Sequence, residues 1–465
     1  MTGAYDVAII GAGVVGCAIA RAFSRYRLKV VVLEADTDIG NGASKGNSAV
    51  LSTASDTPSG TLEQQLVKRG HALYRAEAPS LGLPIENLGS LTIAWNETEA
   101  ETVRAMQLAM IADGFHEAEL VGPDAIYRRI PALAPGAVAA VWEAEEAIVD
   151  PFSTPLAYAL DALANGVDIR CSTPVTGAHF EDRQWHLATP GGEFVASLAI
   201  NCGGLYGDRV DALGGNHEIK IKPRRGEFIV FDKSARGLLD VILKPVANSL
   251  GRGILLTPTV FGNILVGPTA EQVDDPDDWR CTTEGLAALQ AAAKRTLPGL
   301  LAHEITTTYC GLRPGSDRPE YRIVVRGDKR WITVAGIRST GLSAALGIAE
   351  YIVAQAMDGL VRADQKAEIV SIRVPALWER GPRPARDPTC VGRDARYGEV
   401  ICHCEQVSHG EIEDALASPL PPRSLKALKR RTRAMFGRCQ GFFCGARVTA
   451  MLDRSLSPEP RHAAE

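Results

Sequence analysis

Tyr5-Asp-Val-Ala-Ile-Ile10, Gly11-Ala-Gly13-Val-Val-Gly16 and Leu28-Lys-Val-Val-Val-Leu33-Glu34 open the chain, with small and apolar residues from Val14 to Arg25 between the two apolar runs. Those runs read as short buried parallel strands and the segment between them as a packed helix, so the chain begins as a strand-helix-strand unit. Gly11 permits the tight turn after the strand, Gly13 lets the backbone approach a pyrophosphate, and Gly16 lets helix and strand pack closely. The helix N-terminus, with Val15 in its first turn, presents N–H groups and a positive dipole end to phosphate. Glu34, followed by Ala35, is spaced to accept hydrogen bonds from a ribose diol. A carboxylate there repels a 2′-phosphate, which favours FAD or NAD over NADP.

The 465 residues exceed one compact core, so two or three domains are expected. After a Gly, Ser, Thr and Asn-rich loop from Gly40 to Gly60, helical spacing resumes at Leu62–Ala78, Glu97–Asp113 and Pro155–Ala164, with a strand at Leu91–Trp95. Strand-like runs dominate from 167 to 270; a helix follows at Leu286–Thr296, and a strand at Trp331–Ala335 runs through Gly336–Gly341 into a helix ending near Met357. The expected fold class is α/β. A Rossmann-type domain is built from 1–80, 145–215 and 305–372, and an α+β domain from 81–144 and 216–304 is inserted in it. A Pro- and Arg-rich linker at 373–397, a small helical module at 398–453 and a disordered tail at 454–465 complete the chain.

A formal charge of -5 argues against the whole chain being a nucleic-acid binder. The first residues lack a basic stretch, so no secretory signal and a cytoplasmic location are expected. The most apolar late segment, Val334–Met357, is broken by Arg338 and Glu350 and falls short of the ~18 apolar residues of a direct membrane span. Of ten cysteines, six are scattered singly and four crowd the C-terminus: Cys402-His-Cys404, then Cys439 after 34 residues and Cys444 after four more. Without an export signal that clustering points to a metal rather than disulfides. Four thiolates suit a [2Fe–2S] cluster; structural zinc is the competitor, although C-x-C is tight for a zinc ribbon. The basic run Lys426, Lys429, Arg430, Arg431 and Arg433 reads as local neutralisation of an anionic cluster, and no nucleic-acid partner is expected.

Several further segments resemble the D-amino-acid oxidase-like superfamily of FAD-dependent oxidoreductases. Gly40-Asn-Gly-Ala-Ser44-Lys-Gly-Asn47-Ser48 resembles the loop along pyrophosphate and flavin, and Asp168–Thr176, near Val175, the strand that contacts adenine. Ala199–Asp208, with Gly203 and Gly204, is similar to the turn under the cofactor, Gly311-Leu-Arg313-Pro314 to the substrate-facing turn, and Gly336-Ile-Arg338-Ser-Thr-Gly341-Leu342-Ser343 to the closing flavin loop. The resemblance implies FAD. In it, the helix opening at Gly341 would face the flavin pyrimidine, where its dipole favours the charge of the reduced state, with Arg338 adding to the effect. The late cysteines, with Leu428–Arg433 and Gly437–Cys444, closely resemble the bacterioferritin-associated-ferredoxin-like domain, which implies a [2Fe–2S] cluster.

Lys222–Phe228, Gly253–Thr259 and Gly262–Thr269 look most like the branch of glycerol-3-phosphate and L-2-hydroxyglutarate dehydrogenases, in which the flavin-bearing component of the anaerobic glycerol-3-phosphate dehydrogenases carries such a cluster domain too. That implies hydride transfer from a small anionic secondary alcohol to flavin, with electrons leaving through the cluster to an acceptor protein or a quinone-linked partner. Arg313 is the expected clamp for carboxylate or phosphate, with Arg224, Arg225 and Lys222 secondary. His71 and Tyr309 are candidates for taking the hydroxyl proton on chemical grounds alone. An amine or imino-acid dehydrogenase and an electron-transfer component of a larger complex remain as alternative readings.

Overall fold

The computed structural model describes residues 4–247, 253–375, 377, 381 and 383–457. They form two compact units that divide between Val374 and Pro375.

The opening motif lies at the centre of the first unit. Tyr5–Ile10 runs parallel to Val30–Leu33 on one side and to Gly192–Asn201 on the other. Asp168–Arg170 extends the parallel set beyond Val30–Leu33, and Trp331–Ala335 beyond Gly192–Asn201. Ile9, Val31, Val32, Ala199, Ile200 and Ile332 have no accessible surface, as expected for strands covered on both faces. Helix Val14–Phe23 packs against Ser153–Ala164 and Gly341–Met357, and Leu62–Leu81 packs on the last of these. The long strand Gly192–Asn201 also begins a meander with Gln184–Thr189 and Gly177–Glu181, so the sheet changes from parallel to antiparallel along one strand.

A second, mainly antiparallel sheet runs in the order Ile305–Ser316, Ile221–Phe231, Ile264–Gly267, Leu255–Pro258, Ile242–Pro245, Ser90–Ala94, Ala139–Glu143, Glu119–Val121. Leu91, Ile93, Ile229, Phe231 and Val266 form its core with Leu289 of helix Thr283–Thr296. Ile305–Ser316 was expected with the nucleotide-binding sheet. It instead pairs with Ile221–Phe231 along nearly its whole length, from Ile221 opposite Ser316 to Phe231 opposite Ile305. Its side chains are thereby committed to the second sheet.

The second unit holds a hairpin of Val400–Cys402 and Val407–Ser408 and helices His409–Leu416, Leu425–Thr432 and Gly445–Leu456 around Ile401, Val407, Ile412, Leu428, Val448 and Leu452. The expected linker is not featureless. Pro388–Arg393 is a short helix with proline in its first turn, started by the Asp387 carboxylate accepting Thr389 N–H at 2.9 Å, and Asp394 starts the turn Ala395–Gly398 in the same way. The last helix runs to Leu456, past the expected start of the tail at 454; residues 458–465 lie outside the described residues.

Candidate cofactor sites

A cavity of about 1020 Å³ opens at the C-terminal ends of the parallel strands, where open α/β sheets bind their ligands. Its lining brings together Gly11, Gly13, Val15, Gly16, Glu34, Ala35, Ser44, Asn47, Ser48, Val175, Gly203, Gly204, Arg338, Gly341 and Leu342. Gly11 has φ +106°, and a Cβ there would sit 2.6 Å from the Cys202 carbonyl oxygen. A Cβ on Gly16 would lie 2.0 Å from Gly11 O, whereas one on Gly13 would meet only Ser44 Oγ at 3.3 Å. The turn is therefore packed solid at Gly11 and Gly16 and bare at Gly13, as a phosphate-binding turn requires. Ser44 Oγ accepts from Val14 N–H at 2.9 Å, which ties the long loop to the helix start.

The Glu34 carboxylate accepts from Ala12 N–H at 2.6 Å and from Asp36 N–H at 2.8 Å. Burial raises its pKa, and those two amide bonds oppose the rise. Each oxygen retains a second acceptor position for a ribose hydroxyl. At the other end of the cavity, helix Gly341–Met357 starts without a side-chain cap, the Thr340 hydroxyl being bonded to Tyr321 OH and donating to Glu63 at 2.8 Å. Its first-turn amides are left to serve an acceptor in the cavity. Arg338, also on the lining, is held by an ion pair to the buried Glu63. A bare phosphate turn, a fixed ribose acid and an uncapped helix end in one slot fit a flavin dinucleotide.

In the second unit the four late cysteines are close enough to act on one another electrostatically, Cys404 with Cys439 and Cys402, and Cys444 with Cys402 and Cys439. Backbone N–H groups of Phe443, Gly441 and Phe442 converge on the Cys439 sulfur and hold its thiol below the usual range. Burial and the neighbouring Cys402 push Cys444 up to about 12. The donor set suits an iron–sulfur cluster, whose sulfurs accept such amide bonds. Three residues of the basic run contact protein groups other than the cysteines. Arg433, in the left-handed conformation, donates through Nε to buried Glu405 at 2.9 Å, Arg431 bonds to Leu420 O, and Lys429 lies 4.6 Å from the Phe436 ring centroid.

Residues 6–355 match the FAD dependent oxidoreductase (DAO) family, and residues 400–454 match the BFD-like [2Fe-2S] binding domain. The chain belongs to the DAO family of FAD-dependent oxidoreductases. It is 33% identical over 458 residues to a glycerol 3-phosphate dehydrogenase of Caloramator mitchellensis, covering 98% of this chain and 95% of that protein. It is 27% identical over 354 residues to a glycerol 3-phosphate oxidase of Mycoplasma pneumoniae, covering 74% of this chain and 92% of that protein. The FAD-bound L-alpha-glycerophosphate oxidase structure from Mycoplasma pneumoniae shares its fold at a TM-score of 0.73 and 24% identity, over 80% of this chain and all of that one. The protein is thus a glycerol-3-phosphate dehydrogenase-like flavoenzyme that uses FAD and a [2Fe–2S] cluster. No helix among the described residues is long and apolar enough to cross a membrane.

In this oxidoreductase Arg313 lines the cavity beside Gly226, Phe228 and Pro268 of the second sheet. Its guanidinium donates to Arg225 O at 2.9 Å and to Thr269 O at 2.7 Å, which fixes its plane. The secondary candidates differ: Arg225 is buried in an acidic cage of Glu271, Asp278 and Glu227, while Arg224 and Lys222 do not line the cavity. Neither expected proton acceptor lines it either. The Tyr309 hydroxyl donates to Asn47 O at 2.7 Å, its ring stacks on Phe228, and burial raises its pKa, all of which keep its proton in place. His71 is buried in helix Leu62–Leu81 with Nε2 3.3 Å from Glu145 O, and burial lowers its pKa. Gly336 and Ser343 also fall off the lining. Gly336 turns the chain beside Arg322, and the Ser343 hydroxyl accepts from Ser52 N–H at 2.8 Å.

Sequence reasoning missed the cavity's outer wall. Asp277 and Trp279 line it from the segment Glu271–Thr282, where Asp277 accepts from Tyr206 OH and Lys45 Nζ sits 4.8 Å from the Trp279 ring centroid. Glu227 pins one end of this strap, accepting from Thr282 N–H at 3.0 Å and from Thr282 Oγ1 at 2.8 Å, while Arg225 bonds Glu271 at the other end and Asp278 beside Trp279. The only sequence signal was composition: the acidic run Asp274, Asp275, Asp277 and Asp278 beside Trp279.

Proposed function

We propose that this enzyme dehydrogenates a small anionic secondary alcohol, with sn-glycerol 3-phosphate first among candidates and a 2-hydroxy acid second. The observation that carries the proposal is the whole-length likeness to a glycerol 3-phosphate dehydrogenase at 33% identity, which spans both the flavin and the cluster portions. When bound, FAD accepts hydride from a C–H bond and the [2Fe–2S] centre passes single electrons to an acceptor. Arg313 supplies the anion clamp: its guanidinium is oriented by Arg225 O and Thr269 O before substrate arrives, so little ordering remains to be done on binding. Glu34 holds the ribose, the Gly11–Gly16 turn the pyrophosphate, and the uncapped amides at Gly341 the pyrimidine end. Cys402, Cys404, Cys439 and Cys444 ligate the cluster, and the acceptor is a separate redox protein or a quinone-linked partner.

The test is anaerobic mixing of the holoenzyme with sn-glycerol 3-phosphate, L-2-hydroxyglutarate and a panel of amino acids, reading flavin absorbance. Bleaching by glycerol 3-phosphate supports the reading, and bleaching by an amino acid alone replaces it with amine dehydrogenation. In the responsive case Arg313→Lys should raise KM at least tenfold with a smaller change in kcat, since lysine cannot make the set of carbonyl bonds to Arg224, Arg225 and Thr269 that holds the guanidinium in place.

A further inference from the structure

We infer that the hairpin Gly177–Glu181/Gln184–Thr189 carries a surface site for a borderline divalent metal ion, for which Zn²⁺ is the natural occupant, with His179, His186 and Glu181 as ligands. His179 and His186 are directly opposed across the two strands, and their rings stack at 4.6 Å and 14°. Glu181 lies two residues along from His179 on the same face. The ligand atoms of these three residues lie within 4.8 Å of one another. Two imidazoles and one carboxylate match zinc's preference, with a fourth position open to water.

A second feature bears on the same site independently. His186 Nδ1 lies 3.0 Å from Glu193 Oε1, on the neighbouring strand. A carboxylate on one ring nitrogen fixes the tautomer and presents the other nitrogen to a metal, the usual outer-shell arrangement of a histidine ligand. Alternation also places Glu193 on the face of His179 and His186, because it stands opposite Ala188, two residues from His186.

The support beneath the site is rigid. The opposite face of the hairpin buries Trp185 and Leu187, and Trp185 Nε1 donates to Lys329 O at 2.8 Å. The two-residue turn Asp182-Arg183 has φ values of +47° and +61°, a geometry that fixes the pairing register. His186 is the fixed ligand, 24% exposed and held by Glu193, and His179 and Glu181, 59% and 70% exposed, are the ones that turn out of the ring stack to converge on it. The hairpin starts directly after Thr176, the last of the three residues Pro174–Thr176 that line the cavity near the adenine end. A bound ion would therefore staple strands that continue from the nucleotide wall.

The test titrates Zn²⁺ into cluster-loaded, FAD-loaded protein by isothermal calorimetry, with cluster absorbance followed to show that the cysteines stay occupied. The wild type should bind one Zn²⁺ that the His179→Asn/His186→Asn double variant does not. Glu193→Gln should weaken that binding about tenfold, as expected for loss of an outer-shell carboxylate. His179 and Glu193 are exposed and His186 is partly exposed on the outer face of the hairpin, so melting in chelator should match the wild type and separate loss of a site from loss of fold. Equal zinc stoichiometry in the double variant and the wild type, or no binding by the wild type beyond that of the double variant, overturns the inference.

Discussion

The strap across the cavity gives the sharpest test of how this enzyme holds FAD. Its tip is held by Arg225 through Asp278 and is tied to cavity-lining loops by two further contacts, Tyr206 to Asp277 and Lys45 over Trp279, these last four residues all lining the cavity. The Lys45–Trp279 contact, partly in solvent, contributes ~0.5–1 kcal/mol. The Tyr206–Asp277 bond, charge-assisted but exposed, contributes about 1 kcal/mol. Together they amount to roughly 1.5–2 kcal/mol, which at ~1.4 kcal/mol per decade is a ~10–30-fold change in rate. The Trp279→Ala/Tyr206→Phe double variant should therefore release FAD about 10–30 times faster. The release is read as recovery of flavin fluorescence after dilution. Because the two ends of the strap stay pinned by Arg225 and Glu227, melting of the apoprotein should change little. Release within twofold of wild type would mean that FAD leaves without the strap opening, and would refute the argument.

Three further outcomes are expected. Cys402→Ser or Cys439→Ser should lose iron, sulfide and the cluster's visible absorbance while FAD stoichiometry stays near one per chain, because the two sites occupy separate compact units; loss of both cofactors would contradict that independence. Gly16→Ala places a Cβ 2.0 Å from Gly11 O, and with no flexible side chain to give way the cost is ~3 kcal/mol, read as a lower melting temperature and protein purified largely without FAD. Burial lowers the His71 pKa, so as pH falls the unfolded chain binds the proton first; the stability present above the unfolded value of ~6.5 is lost as pH drops through it toward the lowered folded value. His71→Gln should flatten this part of the melting temperature–pH profile between about pH 5 and 7, and an unchanged slope would assign the loss to other groups.

The site was legible in the sequence wherever its chemistry is local. Gly11, Gly13, Gly16 and Glu34 lie within one strand-helix-strand unit, so their spacing alone fixes where they meet. The strands at Tyr5–Ile10 and Trp331–Ala335 were equally plain, because strands buried on both faces read as continuous apolar runs. Errors came where direction mattered more than position. Gly341 and Leu342 line the cavity while Ser343, one residue on and turned by ~100° around the helix, bonds to the Val50–Ser52 segment. Tyr309 shares a strand face with Gly311 and Arg313, yet its hydroxyl ends on Asn47 O, a partner 262 positions away that no spacing argument reaches. Trp279 and Lys45 likewise meet only through the fold.

One such long-range contact explains how the proposed anion clamp is positioned against the cofactor loop. A Cβ on Gly311 would lie 1.9 Å from Gly46 O, and one on Gly46 2.6 Å from Gly311 Cα, so the two backbones touch with no side chain between them. Gly46 sits in the loop carrying Ser44, Asn47 and Ser48, and Gly311 two residues before Arg313 on a strand paired along its length. The distance from the flavin-side loop to the guanidinium is thus set by backbone packing rather than by adjustable side chains. Tyr309, bonded to Asn47 O, ties the same loop to the same strand from the other side of Gly311. A residue first considered for proton transfer therefore acts, in this geometry, as the brace that keeps Arg313 in register with the cofactor loop.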